Sequence, residues 1–145
     1  MIRLSCTQMF AALALPCAFI GCGPGGPNNV VKGSVTLDGA PLAAAEIRFV
    51  PKGNNPDLGT ALTTTTADGA FIIKPDAQNN NLLRAGRYIV LVAKVVSTEP
   101  GGGMGSPRVN LVPPEYSLQD QTPLNVEIKE GDNILPPFEI ISPKN

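Results

Sequence analysis

Histidine and tryptophan are absent from this chain of 145 residues. Without an imidazole there is no Ser-His-Asp or Cys-His arrangement, no histidine general base and no histidine ligand for zinc or haem. With five Phe and two Tyr as the only aromatics, platforms for sugar stacking are scarce. Charge is thin as well. Eleven Lys and Arg against twelve Asp and Glu leave a formal net charge of -1, which removes the electrostatic case for nucleic acid. Turn formers are plentiful: fifteen Gly and fifteen Pro make up about a fifth of the chain, below the roughly 25–30% of low-complexity sequences. A single folded domain rich in turns is expected.

From Leu4 to Ile20 the chain is uncharged and mostly apolar, behind a start whose one basic side chain is Arg3. A membrane-spanning helix needs ~20 apolar residues, and Pro16 interrupts this shorter run, so it reads as a leader. It ends in Phe19-Ile20-Gly21-Cys22, followed by Gly23-Pro24-Gly25-Gly26-Pro27-Asn28-Asn29. This resembles the lipobox of bacterial lipoproteins, with Phe19 where Leu is usual. The resemblance implies cleavage between Gly21 and Cys22, acylation of Cys22, and a membrane partner reached through the lipid. The alternative is ordinary secretion with Cys22 as a leftover thiol. Cys6 and Cys17 would leave with residues 1–21, so no disulfide would form within the mature chain. More than one acyl chain attaches stably, since each buried methylene adds ~0.8 kcal/mol. Residues 22–29 then form a tether whose last seven residues span at most ~25 Å.

Residues 30–145 show no sustained helical period; short alternation recurs between turn residues. Val31, Val35 and Leu37 share one face of a first strand and Lys32, Ser34 and Thr36 the other, with a stop at Asp38-Gly39. Ala45 to Phe49 alternates likewise and ends at Pro51. Thr60 to Thr65 is β-branched, and Asp68-Gly69 turns it into Ala70 to Lys74. Arg87 to Ala93 is apolar on both faces, as a central strand is. Leu124 to Ile128 alternates, and Ile134 to Ile141 closes the chain, with Pro136-Pro137 marking an edge or a kink. Seven strands read as an antiparallel sandwich whose core holds Phe49, Phe71, Tyr88 and Phe138.

The joint pattern of Gly33-Ser34-Val35, Asp38-Gly39-Ala40-Pro41-Leu42, Ala45 to Phe49, Thr66 to Phe71 and Ala85 to Val90 resembles the carboxypeptidase regulatory-like family. The stretch Leu111 to Tyr116 with Leu124-Asn125-Val126 is similar to a variant found in short bacterial lipoproteins. The resemblance implies an all-β, seven-strand antiparallel Greek-key sandwich of the prealbumin (transthyretin) type, and carries no shared catalytic residues.

Constellations for chemistry are weak. The run Pro100 to Ser106 has the glycines of a phosphate loop but no Lys-Ser or Lys-Thr after them. Asp38, Asp57, Asp68 and Asp132 sit in turns without the dense spacing of a calcium loop, so no metal or cofactor is expected. A Lys-Asn isopeptide bond could draw on Lys32, Glu46 or Glu127, and Asn125 or Asn133, but no local motif supports it. The long loop from Ser97 to Gln121 is the candidate contact surface, with Met104, Arg108 and Tyr116 as contact residues. Tyr116 also reads as a pin between loop and sheet. An up-and-down chain gathers this loop with the Asp38-Gly39 and Asp68-Gly69 turns at the end opposite the tether, unless an extra strand near Arg108 to Val112 breaks the parity. The expectation is a lipid-anchored, extracytoplasmic structural or interaction module of the cell envelope, without catalysis, whose partner is an envelope protein or a glycan. The alternative is a glycan or small-ligand binding module.

Overall fold

Strands with one apolar face need a second apolar surface to cover it. In a computed structural model, which describes residues 29–53, 55–76 and 81–143, two sheets cover each other in this way. The strands are β1 (Val30–Leu37), β2 (Ala40–Pro41), β3 (Glu46–Pro51), β4 (Ala61–Thr64), β5 (Ala70–Ile73), β6 (Gly86–Ala93), β7 (Val95–Ser97), β8 (Arg108–Asn110), β9 (Asn125–Ile128), β10 (Asp132–Ile134) and β11 (Phe138–Ile140). Two 3-10 turns, Pro56–Leu58 and Pro114–Ser117, are the only helical elements among the described residues. The chain is all-β.

β1 is the spine of the first sheet. β2 and β5 pair with it antiparallel, and β10 and β11 pair with it parallel. The second sheet is antiparallel throughout, in the order β4-β3-β6-β9. Each expected strand has its counterpart at these positions, and β6 is central between β3 and β9. The closing strand departs from the antiparallel expectation. The chain leaves β9 at the end of the molecule where β1 begins and turns through Lys129–Gly131, so the segment that follows runs the same way as β1. This segment is also broken in two. Its register on β1 moves from Lys32↔Ile134 to Val35↔Phe138, which places one extra residue on the closing side, a bulge formed by Leu135, Pro136 and Pro137. Proline has no N–H for the ladder, so pairing lapses there.

The core lies between the sheets. Val31 and Val35 of β1, Ile47 and Phe49 of β3, Phe71 and Ile73 of β5, and Tyr88, Val90 and Val92 of β6 are buried, as the period of two requires. The Phe71 ring lies 6.1 Å from Phe49 in the other sheet and stacks on Phe138 at 5.9 Å. Gly33, opposite Phe71 in the ladder, makes this possible: a Cβ there would stand 2.6 Å from the ring. Tyr88 meets Phe49 edge-on at 6.4 Å, and its hydroxyl bonds the backbone N–H of Arg84, four residues upstream, and the carbonyls of Arg84 and Leu58. Such a tyrosine corner fixes the turn into a strand in sandwich folds.

Candidate contact surface

Strand registers decide which loops share an end. β1 runs from Val30 to Leu37, and the Asp38-Gly39 turn reverses it into β2 with both residues at positive φ (51° and 84°), the backbone a two-residue hairpin needs. β5 starts opposite Ser34, which puts Asp68-Gly69 at the same end, and Gly69 lies so close that a Cβ would stand 2.6 Å from the Val35 carbonyl. The start of β3 joins this end through the bonds of Ala44 and Ala45 with Thr65, and β6 reaches it at Ala93, opposite Glu46. The chain enters the fold at the other end.

Beyond Ala93 the chain does not fold back at once. β7 continues past Lys94 and pairs with β8, forming a two-stranded hairpin outside both main sheets. The extra strand near Arg108 thus exists, but it pairs with β7 and leaves the up-and-down parity of the main sheets intact. The tip, residues 98–107, is held by Thr98 N–H to Pro107 O (3.0 Å), Gly102 N–H to Glu99 O (3.0 Å) and Ser106 N–H to Gly103 O (3.2 Å). Met104 at its apex is fully exposed, and Arg108 at the base of the tip is exposed. Val95, Val109, Leu111 and Leu118 join them as exposed apolar side chains, so five of the nine large exposed hydrophobics of the described residues lie between positions 95 and 118. Val109 lies opposite Val96 and Val95 opposite Asn110, so the exposed apolar side chains of the hairpin are divided between its two faces.

The returning half of the long segment is anchored to β6. Leu111 N–H bonds Lys94 O (2.9 Å), the Ser117 hydroxyl bonds Val92 O (2.9 Å) and the Thr122 hydroxyl bonds Val90 O (2.9 Å). Asn110 is the hinge pin: its carbonyl oxygen accepts from the N–H groups of Lys94 and Val112, and its amide donates to the Ser117 hydroxyl. Tyr116 is buried (8% exposed) in the Pro114–Ser117 turn, and its hydroxyl accepts from Ile141 N–H at 3.3 Å. It pins the segment to the end of β11 and takes no part in the exposed surface. Of the three expected contact residues, Met104 and Arg108 share the hairpin, and Tyr116 is instead the buried pin between loop and sheet.

Gly21 and Cys22, the expected cleavage and lipidation positions, lie outside the described residues. The first described residue, Asn29, belongs to the fold and not to the expected tether: it is buried, its side-chain amide donates to Leu83 O (3.0 Å) and its side-chain oxygen accepts from Gly131 N–H (2.8 Å). Asn133 does the same work at the β9–β10 turn, exchanging two bonds of 2.8 Å with the backbone of Lys129. The structural roles of Asn29 and Asn110 are not written in local sequence, because Asn29 reaches Leu83 and Gly131 and Asn110 reaches Lys94 across long separations; Asn133, a candidate for an isopeptide bond, instead closes a local turn onto Lys129 and Gly131.

The charged groups do structural work. Hydrogen bonds from the backbone and side chain of Ser142 hold the Asp38 carboxyl below the usual carboxylate range. The Thr66 hydroxyl, then the backbone of Ala70, do the same for Asp68. The Asn125 side chain accepts from Lys52, not Lys32, at 3.2 Å, and both residues are exposed, without the desolvation that turns a lysine into a nucleophile. Among the described residues no group of three or more Cys, Asp or Glu gathers to hold a metal ion, and no helix is long and apolar enough to cross a membrane. Phe49, Phe71, Tyr88, Tyr116 and Phe138 are all buried, which leaves no aromatic platform at the hairpin end. No known protein-family model matches the chain, and no curated protein matches it.

Proposed function

We propose that this chain is a bacterial lipoprotein whose seven principal strands form a Greek-key sandwich of the carboxypeptidase regulatory-like, transthyretin type. Cys22 carries the lipid, the domain stands on the extracytoplasmic side of the membrane, and the β7–β8 hairpin is the surface it offers to another envelope protein. The observation that carries this reading is the gathering of exposed Met104, Val95, Val109 and Leu111 at the end opposite the chain's entry at Asn29. A domain held by its entry end presents that apolar hairpin away from the attachment point. The tyrosine corner at Tyr88 supports the Greek-key assignment. The burial of all five aromatics among the described residues weighs against the glycan-binding alternative.

The test is fractionation combined with crosslinking in cells. Cys22→Ser is expected to move the protein from the membrane to the soluble fraction, and a photo-crosslinker at Met104 is expected to capture one protein partner that is lost in the Val109→Asp, Leu111→Asp double variant. Membrane retention of Cys22→Ser, or the same crosslinks from Met104 and from Lys74, which is exposed at the other end, contradicts the proposal.

A further inference from the structure

An edge strand offers unpaired N–H and C=O groups to any extended chain, and folded proteins close such edges with caps, prolines or charges. Three of the edges here are closed. On β4, the outward N–H of Leu62 is taken by the Asn81 side chain (3.0 Å), and Leu82 N–H bonds Thr60 O beside it (3.4 Å). β5 faces β4 across the Thr63 hydroxyl, which bonds Ile72 O (3.4 Å). The β10–β11 edge is broken by Pro136-Pro137. β9 is different. It ends the second sheet, and Val90 N–H bonds Leu124 O, so by alternation Val126 and Ile128 turn their backbone groups toward β6, whereas Asn125 and Glu127 turn theirs away. Only the Lys129 end is closed, by the Asn133 amide.

Beside this edge runs a groove of about 540 Å³ between β9 and β10. Val126 and Leu135 form its apolar floor against the core, and Ile134, 86% exposed, forms its lip. Its charges are Glu127, Glu130 and Asp132 against Lys129, an acidic excess. On the outer face Arg87 lies opposite Glu127, and Lys52 is engaged by Asn125.

We propose that β9 binds an extended segment of a partner protein by strand addition. The segment exchanges backbone hydrogen bonds with Asn125 and Glu127, places a basic side chain opposite Glu127, and turns the apolar side chains on either side of it into the groove over Val126, Leu135 and Ile134. A strand is the form of occupant because only an extended backbone matches the spacing of the outward groups. The basic residue follows from direct cross-strand pairing, where opposite charges attract and like charges repel. The site is distinct from the hairpin surface and does not depend on it.

The experiment is a nuclear magnetic resonance titration of the full chain with a capped peptide Thr-Val-Lys-Val-Thr, with Thr-Val-Glu-Val-Thr as comparison. The lysine peptide is expected to shift the amides of Asn125 to Lys129 and of Ile134 and Leu135, and the glutamate peptide to bind about ten-fold more weakly, a difference of ~1.4 kcal/mol. Glu127→Gln is expected to keep binding but lose the preference for lysine. Glu127→Pro, which removes an N–H that points away from β6, is expected to abolish binding while the shifts of β1, β3 and β6 show the fold intact. Equal binding of the two peptides, shifts confined to other surfaces, or no shifts at millimolar peptide overturns the proposal. So does a wild-type chain that is dimeric where Glu127→Pro is monomeric, since a second copy then occupies the edge.

Discussion

Phe71 touches both sheets, with Phe49 across the core and Phe138 beside it, and is 1% exposed. Phe71→Ala is expected to cost ~3–5 kcal/mol, read as a lower midpoint in thermal or urea unfolding. An unchanged midpoint contradicts this placement. At Tyr88 the hydroxyl is the group at stake. Tyr88→Phe keeps the ring but removes the hydroxyl's bonds to Arg84 and Leu58; Arg84 N–H and Leu58 O still bond each other (3.1 Å), so the loss is that of an ordinary hydrogen bond, ~0.5–1.5 kcal/mol. Burial raises the Tyr88 hydroxyl above the usual tyrosine range, against the bond with the Arg84 backbone and the nearby Arg84 charge. A raised value means the unfolded chain loses this proton first, so the contribution is whole below pH ~10 and falls as pH rises through the folded value. The alkaline loss of stability is therefore expected to be shallower in Tyr88→Phe than in wild type. Large core residues were legible in the sequence because alternation assigns them a face. Tyr116 was harder, since it sits between Pro114 and Ser117 with no alternation, and it is the 3-10 turn that aims its ring inward.

Elements were read best where the period of two persists for four residues or more. The hairpin formed by β7 and β8 was not, for two physical reasons. Val95-Val96 follows the apolar run of β6 after a single Lys94, so the sequence shows no strand break there. The partner strand has only three residues and lies behind a Gly- and Pro-rich tip, so the sequence offers a strand near Arg108 to Val112 only as an exception within a long loop, and gives no sign of its pairing with Val95 to Ser97. Residues 98–107 lie outside the core and the main ladders, and the Val96↔Val109 pairing does not depend on the apex. Deleting Gly101 to Gly105 is accordingly expected to change stability by less than ~1 kcal/mol while weakening partner crosslinking from a probe placed at Arg108, and a deletant that fails to fold contradicts it. Asn110→Ala acts at the hinge instead. It leaves the N–H groups of Lys94 and Val112 short of an acceptor and is expected to cost ~1–3 kcal/mol, with faster amide exchange at Val95 to Ser97 than at Tyr88 to Val92.

At the scale of the molecule, the direction of the closing strand decides how the ends are arranged. Because β10 and β11 run parallel to β1, the described chain finishes beside the Asp38-Gly39 turn, where Ser142 N–H bonds the Asp38 carboxylate at 2.8 Å, far from its entry at Asn29. No residue pattern announces this, since a parallel and an antiparallel partner of β1 present the same alternation; it follows from the crossing between the sheets after β9. Entry and hairpin at opposite ends give the account its central claim, a domain attached by lipid at one end and offering an apolar contact surface at the other. The most direct test is the mass of the N-terminal peptide of the protein recovered from the membrane fraction of its own cells. The account predicts a peptide that begins at Cys22 and carries acyl chains on that residue; a membrane-fraction protein that begins elsewhere, or whose Cys22 is unmodified, contradicts it.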